Sequence, residues 1–198
     1  MTDEEFYGAA FSALKEAERI LREMVERYVA TAGISTGIKP VEKYQSRIKS
    51  SRSMIGKLER LNLEVNVQSA LYKVYDAVGI RIICGFMDDV YQVAEWLSKQ
   101  PEIEIIGQKD YIAYPKPNGY RSLHMRVKLN AGIAAGIFAE IQIRTMAIDF
   151  WATLEHELKY KKAIKQEALI RSELKRCADE IAATDLSMQT IRDIMENL

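Results

Sequence analysis

The sequence predicts an α+β fold, a mixed central sheet flanked by helices with helical extensions at both ends, and three observations carry that prediction. Residues 121–129 and 137–144 alternate apolar and polar side chains with the period of a strand. Residues 78–86 form a short apolar run rich in β-branched side chains, the pattern of a buried strand. Residues 3–31 and the stretch from about Thr145 onward carry the 3.6-residue periodicity of helices. A chain of 198 residues is long enough for one domain with a sizeable core. It divides into an N-terminal helix within 1–38, a core over 40–162 and a C-terminal helical extension over 163–198.

Along the chain, Leu14, Ala17, Leu21, Met24, Val25 and Tyr28 make the apolar stripe of the first helix. The stretch 33–37 breaks it, and Pro40 suits the first turn of a second helix over 41–60. That helix would be basic, with Lys49, Ser53 and Lys57 on one face at spacing i, i+4, i+8 and Arg47 nearby. A polar connector leads to the 78–86 strand. Asp88 and Asp89 can cap a helix running to about Lys99, and 102–107 resembles another strand. Turn residues make 115–119 a loop. The two alternating strands then pair antiparallel through the short 130–136 connection. Leu123, Met125, Val127 and Leu129 lie on one side, as do Ile137, Ala139, Ile141 and Ile143. Ser122, His124, Arg126 and Lys128 share the other side with Glu140, Gln142 and Arg144. The rest is helical, with a restart near Thr184 and Asp185. Phe150, Trp151 and Leu154 read chiefly as packing residues.

Composition narrows the function classes. The 28 Lys and Arg balance the 28 Asp and Glu, so no global field favours DNA or an anionic membrane, and anion binding must rest on local clustering. Two cysteines, Cys84 and Cys177, neither build a disulfide framework nor have metal-ligand spacing. Two histidines without HExxH spacing argue against a zinc hydrolase. The acidic opening MTDEEF and the lack of a long apolar run predict a cytoplasmic location with no membrane association. No Walker-type or GxGxxG element occurs.

Several residues have both a structural and a chemical reading. Glu140 fits a solvated sheet face with Arg144 as its ion partner, or a carboxylate that binds metal or accepts a hydroxyl proton. Asp76 fits a strand-start residue or a metal ligand. Magnesium takes one or two carboxylates plus phosphate oxygens and water, a set that Asp76 and Glu140 can supply. The Lys49, Ser53 and Lys57 face offers donors to a polyphosphate. Lys116, Tyr120 and His124 surround a loop suited to stacking on a base and neutralising its phosphates.

The order and wording of these segments are more specific than any one of them. The relevant segments are RIK at 47–49 with Ser53 and Lys57, YDAVGIRIIC at 75–84, KDYI at 109–112, PKPNGYRSLH at 115–124, EIQIRT at 140–145 and DFWATLEH at 149–156. Over about 40–162 the chain resembles the RelA/SpoT synthetase family, most closely its single-domain small alarmone synthetases. The resemblance implies a nucleotidyltransferase-like fold. It also implies transfer of the β,γ-pyrophosphate of ATP to the 3′-hydroxyl of GDP or GTP, a synthetase without a hydrolase domain. On this resemblance, Arg47, Lys49, Ser53, Lys57 and Arg81 handle ATP, Asp76 holds Mg²⁺, and Glu140 activates the hydroxyl and also touches the metal. Lys116, Asn118, Tyr120, Arg121, His124, Gln142 and Asp149 meet the acceptor nucleotide, with Tyr120 stacking on guanine. It further implies a homotetramer and an alarmone as an allosteric ligand. Two alternatives stay open: a toxin-like relative that pyrophosphorylates adenosine nucleotides or tRNA, and a catalytically silent regulatory homologue.

Overall fold

The computed structural model describes residues 1–32, 39–160 and 167–196; the break expected at 33–37 and the 162/163 boundary lie outside them. The elements in order are α1 (Asp3–Tyr7), α2 (Ala10–Thr31), β1 (Val41–Ile48), α3 (Ser51–Arg60), α4 (Val67–Tyr72), β2 (Val78–Cys84), α5 (Met87–Ser98), β3 (Ile103–Asp110), β4 (Leu123–Leu129), β5 (Phe138–Thr145), α6 (Met146–Tyr160) and α7 (Glu167–Glu196). The five strands form one mixed sheet in the order β1-β2-β5-β4-β3, with β2 and β5 parallel and the other neighbours antiparallel.

The alternation predicted for β4 and β5 sorts their faces. Leu123, Met125, Val127, Leu129, Ala139, Ile141 and Ile143 are all fully buried and meet Val78, Ile80 and Ile82 of β2. The stripe of α2 and the Val90, Val93, Ala94 and Leu97 side of α5 complete this core, so the N-terminal helix packs back on its own sheet. The opposite face carries the polar residues and remains open for a site. Ser122 is an exception to the pattern: it is fully buried just before β4, with its hydroxyl donating to the Ile143 carbonyl at 3.1 Å.

Four expectations change. The 41–60 stretch is not one helix: 41–48 is β1, and Pro40 precedes a strand. Tyr44 and Ile48 pack toward the core while Lys43, Gln45 and Arg47 pair opposite Ile83, Arg81 and Gly79, a period of two that a count of basic residues conceals. The polar connector contains α4, capped by Asn66, whose side chain accepts from Ser69 N at 2.8 Å. Asp185 does not restart a helix, because α7 runs through it. Its carboxylate is turned inward to accept from Thr145 Oγ1 at 2.5 Å, while the same oxygen of Thr145 accepts from Ile148 N and caps α6. Finally, Trp151 is buried as expected, but Phe150 and Leu154 are exposed, lining a hollow with Glu42, Lys43 and Ile83.

Candidate functional site

The open face of the sheet is organised in rungs. Across β1, β2, β5 and β4 the register aligns Arg47, Gly79, Glu140 and Arg126 in one rung and Gln45, Arg81, Gln142 and His124 in the next. Asp76, just before β2, joins Gln45, Arg47, Gly79, Arg81, Glu140 and Gln142 around a cleft of about 100 Å³. Gly79 has no side chain to fill the floor between Arg47 and Glu140. The local clustering that a neutral chain needs for anion chemistry is therefore built by strand register.

Asp76 sits between two lysines. Lys49 Nζ lies 3.1 Å from one carboxylate oxygen and Lys57 Nζ lies 2.6 Å from the other. Burial alone would raise the pKa of Asp76, but the two ammonium groups outweigh it and hold the carboxyl below its usual range. Lys49 does not lie on the helix with Ser53 and Lys57; it occupies the β1–α3 junction, where its N–H donates to the Ala77 carbonyl at 2.8 Å. The N-terminal helix supports this junction. Tyr7 Oη donates to the Lys49 carbonyl at 2.7 Å, and Asp3 accepts from Ser51 N at 2.6 Å, at the positive end of α3.

Glu140 is half-buried and held on both oxygens. Gln142 Nε2 donates to Oε2 at 2.7 Å, and His124 Nδ1 lies 3.4 Å from Oε1. Burial pushes its pKa up, yet the His124 and Gln142 contacts and the charge of Lys57 carry it down to about 2. His124 Nε2 is hydrogen-bonded to Tyr120 Oη at 2.9 Å, so a polar chain links the 115–122 loop to β5. Lys116 Nζ lies over the rings of Tyr111 and Tyr120 at 4.5 and 4.8 Å. Tyr111, from the KDYI segment, also meets Tyr120 edge-on at 6.1 Å.

Asp149 is not open to solvent. Arg144 Nε and Nη2 donate to its Oδ1 at 3.0 and 2.6 Å, Lys43 reaches Oδ2 at 3.1 Å, and Arg81 Nη1 stands 3.9 Å away. The partner of Arg144 is thus Asp149, and the Arg144–Glu140 pair considered as the structural reading does not form. Arg81 keeps a buried Nε without a hydrogen-bond partner among the described residues, and burial together with Arg144 lowers its pKa. An orphaned guanidinium donor at a cleft edge suits an incoming phosphate. Asn118 donates to Glu155 at 2.9 Å, and Arg121 is bound to α7; both face the C-terminal helices. Strand period over 41–48 was the signal that would have placed Lys43 and Gln45 on this face. Nothing in the local sequence announces Glu155 or Asp179 as partners of the loop.

The donor set fits a hard divalent cation completed by substrate. Asp76 and Glu140 line one cleft, and no group of three or more His, Cys, Asp or Glu able to hold a metal occurs among the described residues. Two carboxylates with phosphate oxygens and water are what Mg²⁺ accepts, whereas zinc wants a fuller protein shell.

Comparison with known proteins agrees with this geometry. The family described as a region found in RelA / SpoT proteins matches residues 46–165. GTP pyrophosphokinase YwaC of Bacillus subtilis is 39% identical over 159 residues, covering 79% of this chain and 76% of that protein. GTP pyrophosphokinase YjbM of the same organism is 34% identical over 156 residues, with 77% and 72% covered. The crystal structure of small alarmone synthetase 1 from Bacillus subtilis bound to its product pppGpp matches with a TM-score of 0.81 at 30% identity, over 91% of this chain and 93% of that one. With the order of motifs, the mixed sheet and the family match in agreement, the chain belongs to the RelA/SpoT family.

Proposed function

We propose that this protein is a pyrophosphokinase that transfers the β,γ-diphosphate of ATP to the 3′-hydroxyl of GDP or GTP and releases AMP, the alarmone-forming reaction of the stringent response. The observation that carries the reading is the cleft itself, where Asp76 and Glu140 from different segments face Arg47 and Arg81 of one sheet, with Lys49 and Lys57 against Asp76. In the reaction the acceptor 3′-oxygen forms a bond to the β-phosphorus while the bond from that phosphorus to the α-phosphate bridging oxygen breaks. AMP leaves with that electron pair, and the hydroxyl proton passes to a base.

Each side chain has a task in that step. Arg47, Lys49, Ser53, Lys57 and Arg81 bind and orient the ATP polyphosphate, which in-line attack requires. Asp76 and Glu140 would hold Mg²⁺, which when bound supplies charge neutralisation at the phosphates. Glu140 also accepts the hydrogen bond of the 3′-hydroxyl. Tyr120 stacks on the acceptor base with Lys116, His124 and Gln142 around it, and Asp149 sits near the base edge. The catalytic core is 40–162, with the helices on either side as supports. A cytoplasmic location, a homotetramer and an alarmone as allosteric ligand complete the proposal. The exposed Met188, Ile191, Ile194 and Met195 on α7 are consistent with assembly.

The test is incubation with ATP, Mg²⁺ and each acceptor in turn (GDP, GTP, adenosine nucleotides, tRNA), followed by nucleotide chromatography. Conversion of guanosine acceptors with stoichiometric AMP is the expected result. Transfer only to an adenosine or tRNA acceptor, or no transfer at all, would refute it.

A further inference from the structure

The resemblance assigns Arg121 to the acceptor nucleotide, but the structure gives its guanidinium other work. Nη1 donates to the carbonyls of Gly119 at 3.0 Å and Ala178 at 3.2 Å, and Nη2 donates to Asp179 at 2.8 Å. The Arg121 side chain is only 14% exposed and its two carbonyl bonds are partly buried, whereas Asp179 is 46% exposed and also accepts from Lys175 Nζ at 2.7 Å. Gly119 lies against the same turn of α7. It has φ of +87°, and a Cβ there would stand 2.6 Å from Ala178 Cβ and 3.3 Å from Lys175 Cα. Tyr120, between these two residues, packs on the cluster of Trp151, Ala152 and Ala178, where Trp151 Nε1 donates to the Leu174 carbonyl at 2.8 Å. Three consecutive loop residues are therefore seated on α7, by backbone approach, ring packing and a forked ion pair.

We infer that Arg121 and Asp179 are positioning residues: together they clamp the acceptor loop to α7 and so set the height and tilt of Tyr120 for the incoming nucleotide. The inference rests on the proposed activity for its consequence and on the structure for the clamp. A guanidinium whose planar fork is committed to two carbonyls and a carboxylate is not available to phosphate at the same time. Its influence on the acceptor is exerted through Gly119 and Tyr120. ATP, bound from β1, α3 and β2, should be indifferent to it.

Two variants, Asp179→Asn and Arg121→Gln, separate this from direct contact. Steady-state kinetics should show KM for GDP or GTP raised in both, up to about fivefold for Asp179→Asn, whose carboxylate is exposed, and more for Arg121→Gln, which also loses the two carbonyl bonds. KM for ATP should stay within about twofold, since no ATP ligand is touched. The double variant should be no worse than Arg121→Gln alone. Amide exchange at 118–121 should accelerate in both single variants. If Arg121→Gln loses acceptor affinity while Asp179→Asn behaves as wild type, the guanidinium touches nucleotide directly and the clamp is overturned. An equal rise in both KM values with a lowered Tm would also overturn it, as a general loss of folding. The exchange measurement needs no turnover: unchanged exchange overturns the clamp, whereas faster exchange in a chain that transfers no diphosphate upholds the clamp and refutes the activity.

Discussion

Replacing Asp76 by Asn should both destabilise the protein and make it a better receptor for polyphosphate. The substitution keeps the shape and removes the charge that Lys49 and Lys57 share at 3.1 and 2.6 Å. Two ammonium groups then face one amide. Removing one partner of a buried ion pair costs about 3–5 kcal/mol. The lysine side chains here keep 13% and 26% exposure, so the lower end, about 3 kcal/mol, applies. For a chain of this size that is a fall in Tm of roughly 6–12 °C. Tripolyphosphate or metal-free ATP can replace the lost charge, so its addition should raise the Tm of the variant more than that of the wild type. Asp76 has a depressed pKa in the folded state. Its stabilising contribution is therefore present above the unfolded value and is lost as pH falls, and the two proteins should converge in Tm in acid. Scanning fluorimetry across pH and polyphosphate concentration measures all of this, with chromatography to show that alarmone synthesis is lost. A Tm within about 2 °C of wild type with no extra polyphosphate shift would refute the charge-balance reasoning.

Glu140→Gln should abolish synthesis, by about 10²–10⁴-fold, while nucleotide binding by equilibrium titration largely survives. Because Glu140 is lowered from 4.5 to about 2, the wild type should lose stability as pH falls through that window, and the Gln variant should lack this part of the acid limb in pH-dependent denaturation. Gly119→Ala should cost about 2–4 kcal/mol, from left-handed strain plus overpacking against Ala178. In urea unfolding, a second substitution, Ala178→Gly, should recover only the packing part, because the φ of +87° persists. Asp3→Ala should lower Tm by about 2–4 °C, the worth of one capping carboxylate at the start of α3, as read by thermal unfolding.

The apolar half of the fold was legible because period-two alternation in β4 and β5 and the stripe of α2 are local signals, and each corresponds to a fully buried row. The basic stretch 41–60 resembles one helix for a physical reason. Its edge strand β1 exposes Lys43, Gln45 and Arg47, so charge density mimics a solvated helix while only Val41, Tyr44 and Ile48 report the sheet. Lys49 and Lys57 still converge, on Asp76, through the β1–α3 junction rather than along one helix. Glu140, Gln142 and His124 were placed on one face by alternation, and the structure adds their bonds. The pairs Arg121–Asp179, Asn118–Glu155 and Thr145–Asp185 join positions 37–58 residues apart along the chain and leave no periodic trace. Capping-type residues such as Thr184 and Asp185 carry the same letters whether they end a helix or anchor one.

The low pKa of Glu140 bears on how the site accelerates transfer. A carboxylate held near 2 is ionised at neutral pH but binds a proton weakly, far from the match with operating pH that favours general-base catalysis. The contacts that lower it, from His124 and Gln142, also fix both of its oxygens on a strand, which is the property a positioning acceptor needs. Phosphoryl transfer through a loose transition state requires little negative charge on the attacking oxygen before the bond to phosphorus forms, so aiming the hydroxyl matters more than deprotonating it early. Bringing a polyanion into the cleft opposes the nearby cationic field and raises the affinity of Glu140 for a proton as the substrates assemble. In the proposed reaction the arrangement of Arg47, Lys49, Lys57 and Arg81 around two carboxylates would serve two ends. It would neutralise the diphosphate in flight, and it would keep Glu140 an acceptor of a hydrogen bond until the phosphate charge made it an acceptor of the proton.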